Sequence, residues 1–166
     1  MKYEKLLELA THYLEKNDLG VAHTLRVLEI AKENYDKYDL DESWKDNVFS
    51  LIILHDVGGS EIKDQYEKGP IIAKELLEKL DYHPFDIKLI CGFIARHHEK
   101  LKDPLDIFKI LFDSDQLVKF SNEEFNHYNS KPSFNWEKVI DSFYNANLKE
   151  LAKKLLEEKP KWLKEK

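Results

Sequence analysis

Apolar residues recur at helical spacing along nearly the whole chain. In residues 3–14, Tyr3, Leu6, Leu7, Ala10, Tyr13 and Leu14 form one stripe, and the helix they predict ends near Asn17-Asp18 with Gly20 close behind. A second helix is predicted over 21–37, its buried side marked by Leu25, Leu28, Ala31 and Tyr35 and widened by Val21, Val27 and Ile30. "DLDES" (39–43) offers caps for a third, which carries Val48, Leu51, Ile52 and His55 on one face and stops at Gly58-Gly59. Residues 57–68 read as a loop carrying Glu61, Lys63 and Asp64. Pro70, Pro84 and the pair Asp103-Pro104 then each mark a helix start, since the first helical turn has no intrahelical use for a backbone N–H. Residues 121–133 read as a polar connection. From Phe134 to Glu158, Trp136, Val139, Ile140, Phe143, Leu148, Leu151 and Leu155 describe a final long helix that Pro160 ends.

No strand-like alternation or internal repeat interrupts this pattern. It predicts an all-α fold, a single-domain helical bundle of about seven helices over residues 1–166, with the last helix (134–158) packed on the others. Composition agrees: 42% of residues are hydrophobic and 35% charged, with only 5 Gly and 5 Pro, as in a globular helical protein rather than a disordered one. The net charge of −6, with no dense Lys/Arg block, argues against an extended grip on nucleic acid, whereas a small phosphorylated ligand needs only local positive charge. The one cysteine, Cys91 in "LICGFIA", has no intrachain partner and reads as a buried, inert thiol. The amphipathic start "KYEKLLELATHYLEK" is unlike a secretory signal, and the longest apolar run, "LIIL", is too short to span a bilayer. The expected location is cytoplasmic, without a membrane partner, and a homo-oligomer is left open.

Four pieces of the chain carry groups suited to chemistry: His23 in "AHTLRV", the adjacent His55-Asp56, the pair His97-His98 in "ARHHEK", and the aspartates of "LFDSDQL". Neutral imidazole and ionised carboxylate are good donors for first-row divalent ions, and mixed N/O ligation suits an open octahedron. Neighbours on a helix point roughly 100° apart, so His55 and Asp56 can take adjacent corners of one such shell. An acid at a helix C-terminus also opposes the macrodipole, a conflict that a nearby cation relieves.

In this order, with "HTLRVLEIA", "LIILHDVGG", "GPIIAKELL", "FIARHHE" and "KILFDSDQL" around them, these residues resemble the HD-domain superfamily of metal-dependent phosphohydrolases, over most of residues 20–120. The resemblance implies that His23, His55, Asp56 and Asp115 bind a divalent metal ion (Mn, Fe, Co, Ni or Mg). Asp113 is a rival to Asp115: two residues apart on a helix they point about 200° apart, so both cannot serve one ion comfortably. His97 is a second-metal ligand, a phosphate donor or a general acid protonating the leaving oxygen, with His98 the weaker candidate of the pair. Arg26, Lys68 and Arg96 are candidate phosphate-binding cations, and Glu61 and Asp64 candidates for positioning a water or the leaving group. The implied activity is hydrolysis of a small phosphate ester or anhydride, with a nucleotide as leading substrate. The alternatives are a non-catalytic metal- and nucleotide-binding regulatory module and an HD-fold di-iron oxygenase. Lys68 stands where members with a second metal tend to place a histidine, and an ammonium has no lone pair to donate.

Overall fold

From Val48 to Leu54 every side chain is buried, so this helix has no solvent face and has to be enclosed by others. A computed structural model, which describes residues 1–165, shows how. The chain runs α1 (Tyr3–Leu14), α2 (Gly20–Asn34), α3 (Lys45–Leu54), α4 (Ile62–Glu67), α5 (Gly69–Lys79), α6 (Pro84–Ile94), α7 (Asp106–Leu117), α8 (Phe125–Asn129), α9 (Trp136–Ser142), α10 (Ala146–Glu157) and α11 (Lys161–Lys164). Single 3₁₀ turns lie at Tyr35–Lys37, Glu42–Trp44 and Val118–Phe120, and no strand occurs among the described residues. The buried stretch of α3 is enclosed by α1, α2, α6 and α7, while α5 pairs with α6 on one flank. This is the all-α, single-domain bundle the pattern predicts, built from more and shorter helices than the expected seven. No helix among the described residues is long and apolar enough to cross a membrane.

The differences in length have local causes. The second helix stops at Asn34, three residues short of the expected end, and passes into a 3₁₀ turn in which the Tyr35 hydroxyl donates to the Asp41 carbonyl at 2.6 Å. Its buried face is His23, Thr24, Val27, Leu28 and Ala31, so Leu25 lies outside, 44% exposed, against expectation. The helix expected after Asp103-Pro104 starts only at Asp106, because Asp103 has a left-handed φ of 45° that no helical turn can include. Within the expected loop 57–68, residues Ile62–Glu67 form α4. The Gln65 amide folds back to donate to the Gly59 carbonyl at 3.0 Å, and the turn closes so tightly that a Cβ on Gly58 would lie 2.4 Å from the Asp64 carbonyl oxygen.

The final long helix is two helices, and a buried carboxylate accounts for the break. Asp113 accepts the backbone N–H groups of Tyr144 (2.8 Å) and Asn145 (3.0 Å) and the Tyr38 hydroxyl (2.7 Å). Those two N–H groups are therefore bonded sideways into α7 rather than along a helix axis, and Asn145 caps α10 by accepting from Asn147 and Leu148. The segment between α7 and α9 is pinned by an aromatic cluster. Phe125 stacks on Trp136 with centroids 4.5 Å apart, Phe120 and Phe134 close around the same indole, and the Trp136 N–H donates to Asn129 at 2.9 Å. That segment forms one wall of the site.

Candidate metal centre

His55 and Asp56 leave the C-terminus of α3, His23 comes from the first turns of α2, Asp115 from the last turns of α7, and His97 from the turn after α6. The His23 Nε2 lies 3.3 Å from Asp56 Oδ2 and 3.2 Å from Asp115 Oδ1, and the His55 Nε2 lies 3.3 Å and 3.6 Å from the same two oxygens. Neighbouring donors around one small divalent ion stand about 3.0–3.4 Å apart, given bonds near 2.1 Å. Of the four residues implied by the resemblance, His23, His55 and Asp56 thus form one ligand-sized group, and Asp115 joins it through its contacts with both imidazoles. The rival Asp113 is turned away and used up by the backbone of residues 144–145, so Asp115 is the α7 carboxylate of the cluster.

Tautomers reinforce the fit. The His55 Nδ1 is 2.5 Å from the Ile52 carbonyl and the His97 Nδ1 is 2.7 Å from the Ile94 carbonyl. A carbonyl oxygen carries no proton, so each Nδ1 is the donor and the Nε2 of each ring is the atom turned to the cluster. Both Nε2 atoms, with Asp56 Oδ1, are among the five buried side-chain polar atoms without a hydrogen-bond partner among the described residues. Three such orphans in one place are the expected mark of a ligand that satisfies them. The His97 Nε2 lies 3.5 Å from Asp56 Oδ1, and Asp56, His97 and His98 form a second ligand-sized group that shares Asp56 with the first. His97 therefore has the geometry of a ligand.

The charges are arranged to match. Burial alone would lower the pKa of His23, but contacts with Asp115, Asp56 and Glu124 raise it to about 12. Burial likewise opposes a charged His55, and Asp56 and Asp115 override it, raising the group to about 10. Asp56 and Asp115 in turn stay well below the usual carboxylate range despite burial, held there by the histidines. The pocket concentrates negative charge that has to be met by protons or by a cation.

Sequence reasoning missed Glu124. It is fully buried, accepts from the His23 Nδ1 at 2.9 Å, and accepts from the Arg26 Nε at 2.8 Å. This carboxylate fixes which His23 nitrogen faces the cluster. It lies in a polar tract, "SNEE", and only the packing of 118–143 against α2 gives it that role. A spacing rule cannot see a contact across 101 positions.

The cluster forms the floor of an open cleft of about 490 Å³, with Asn17–Gly20 and Gly59–Ile62 as rims and Lys119, Tyr128 and Phe134 as a wall. Glu61 is on the rim. The other expected helpers are elsewhere. Arg26 turns its Nε to Glu124, Lys68 is exposed and pairs with Asp64 one helical turn away, and Arg96 pairs with Glu99 at the surface. Asp64 is thereby an outer residue, its side chain against Gly59. His98 lies at the cleft edge with its Nε2 2.6 Å from Gln65 Oε1.

A family model described as HD domain matches residues 20–131. The chain belongs to the HD-domain family. That places it in a superfamily of metal-dependent phosphohydrolases, and the matched span of this HD domain includes His23, His55-Asp56, His97, Asp115 and Glu124. No curated protein and no solved structure matches it.

Proposed function

We propose that this HD domain is a divalent-cation-dependent phosphohydrolase acting on small phosphate esters or anhydrides, with nucleotides as the leading class. The observation that carries the reading is the convergence of the His23 and His55 Nε2 atoms and the carboxylates of Asp56 and Asp115 at the floor of a solvent-open cleft. A structural metal site would be closed; this one leaves room for a substrate oxygen and water.

His23, His55, Asp56 and Asp115 are the residues that would hold the cation. When bound, it would polarise a phosphoryl oxygen and acidify the attacking water. Glu124 keeps the His23 Nδ1 protonated so that Nε2 faces the site, and the Ile52 carbonyl does the same for His55. In the reaction an oxygen–phosphorus bond to water forms, the ester or anhydride P–O bond breaks, and the leaving oxygen takes up a proton. The overlapping group Asp56, His97 and His98 supports a second cation sharing Asp56, in place of the acid role for His97.

The test is turnover of a panel of nucleotides and simple phosphate esters with Mn²⁺, Co²⁺, Ni²⁺ and Mg²⁺ supplied in turn. Hydrolysis with at least one ion, abolished in Asp56→Ala, is expected. Tight binding of a nucleotide without turnover under any ion would replace this reading with a regulatory binding module.

A further inference from the structure

The cleft floor carries two carboxylates, so a phosphate arriving there needs positive charge besides the cation. The cations nominated from the sequence do not provide it: Arg26 is engaged by the buried Glu124, and Lys68 and Arg96 are exposed and paired outside the cleft. One ammonium inside the cleft wall is placed differently. Lys119 follows α7 in the 3₁₀ turn Val118–Phe120, one helical turn past Asp115, and lines the same cleft as His23, Asp56 and Asp115.

Its surroundings are unusual for a lysine. The amine is bonded to the neutral Gln116 Oε1 and leans on two aromatic faces, with 5.3 Å to the Tyr128 ring centroid and 6.0 Å to that of Phe134. It forms no ion pair within 4 Å among the described residues. Long cationic side chains ordinarily carry their charge out to water. Here the chain is drawn in along the Tyr128–Phe134 wall and held by Gln116 of α7, Tyr128 of α8 and Phe134, so the charge stays at the cleft. Burial lowers its pKa, which the more distant Asp115, Glu124 and Asp56 oppose. A half-buried ammonium with a neutral acceptor and no carboxylate partner has capacity for an anionic one. Lys131, exposed and lining the same cleft, has its amine 5.3 Å from the Tyr128 ring centroid and adds positive potential there.

We propose that Lys119 is the phosphoryl-binding cation of this site, receiving an oxygen of a substrate phosphate whose other oxygens face the metal centre. The assignment rests on the phosphohydrolase reading for the identity of the anion, and on the geometry of the cleft wall for the residue. It makes Lys119 a specificity-determining residue: it favours a phosphate carrying two negative charges over a diester carrying one, because the second charge is what the ammonium meets.

Inorganic phosphate is the probe. It is titrated calorimetrically into the Mn²⁺-loaded protein for wild type, Lys119→Met and Lys119→Arg, with Mn²⁺ affinity and melting temperature measured on each. Methionine keeps the length and the contact with Tyr128 while removing the charge. The expected result is phosphate affinity lower by about tenfold or more in Lys119→Met, largely recovered in Lys119→Arg, with Mn²⁺ affinity and folding preserved in both. Equal phosphate affinity in wild type and Lys119→Met overturns the assignment, as does absence of phosphate binding by the loaded wild type or a parallel loss of Mn²⁺ affinity. Phosphate binding with the expected charge dependence, in a protein that hydrolyses no ester, would leave this site in place and remove the hydrolase reading instead.

Discussion

The Nδ1 of His23 and the Oε1 of Glu124 stand 2.9 Å apart in the interior of the protein, joined across 101 positions of chain. Because Glu124 is fully buried and its other oxygen accepts from Arg26, the imidazole cannot turn without leaving the Oε1 buried and without its donor. Replacing Glu124 with Gln keeps an acceptor but removes the charge. Affinity for Mn²⁺ should fall about tenfold, read by competition with a chelating dye, with the fold retained. Glu124→Ala should cost in addition about 2 kcal/mol or more of unfolding free energy, since Arg26 loses its partner. Unchanged metal affinity in Glu124→Gln would remove the orienting role.

Asp113 and Asp115 are separated by one residue and by function. Asp113 ties the Tyr38 hydroxyl and two backbone N–H groups of the α9–α10 junction, so Asp113→Ala orphans three donors. A loss of about 3 kcal/mol in urea unfolding is expected, with metal stoichiometry intact in the folded fraction. A variant of normal stability but without metal would exchange the roles given to the two aspartates.

Gly58 is where the HD turn closes on α4. A methyl group there would sit 2.4 Å from the Asp64 carbonyl oxygen and 2.7 Å from the Gly69 nitrogen, both backbone atoms that cannot swing aside. Gly58→Ala should therefore destabilise by about 1–3 kcal/mol and should disturb Asp56 at the same time, lowering metal affinity. Full stability by chemical denaturation would show that the turn is looser than it stands here.

Cys91 sits half-buried with its thiol donating to the Pro70 carbonyl at 3.4 Å. Burial pushes its pKa up to about 11 from an ordinary 9.0, with Lys74 opposing and Glu78 adding slightly. The folded state thus keeps the proton longer than the unfolded one, so its contribution to stability is present below pH 9 and is lost as pH rises toward 11. Alkylation by iodoacetamide should rise about tenfold per pH unit through pH 8–10 without levelling. A plateau near pH 8 would contradict the shift.

Much of this was legible in the sequence, for a physical reason. The resemblance to the HD-domain superfamily named His23, His55-Asp56 and Asp115, and the apolar stripes of α2, α3 and α7, which face one core, account for their convergence. The burial of Val48–Leu54 shows the same logic at its strongest. What stayed hidden depends on contacts between distant segments. Glu124 and Lys119 bracket a polar tract with no periodic signal, and they reach the site because Phe125, Phe134 and Trp136 fold it back over α2. The break at residues 143–145 is written in Asp113, a carboxylate that reads as a ligand candidate until its three donors are seen. Lys68 and Arg26 stand off the cleft lining for the converse reason: position on a helix does not say whether a nearer carboxylate, Asp64 or Glu124, pairs with the charge.

The central claim is that Asp115 and His23 join the His55-Asp56 pair around one cation. Equilibrium titration of Mn²⁺ into metal-stripped wild type and Asp115→Asn measures it most directly. The account expects wild type to bind at least one equivalent, and Asp115→Asn to bind at that site more weakly by about tenfold or more, both proteins remaining folded. Equal affinity in the two proteins, or no Mn²⁺ uptake by wild type, would contradict it.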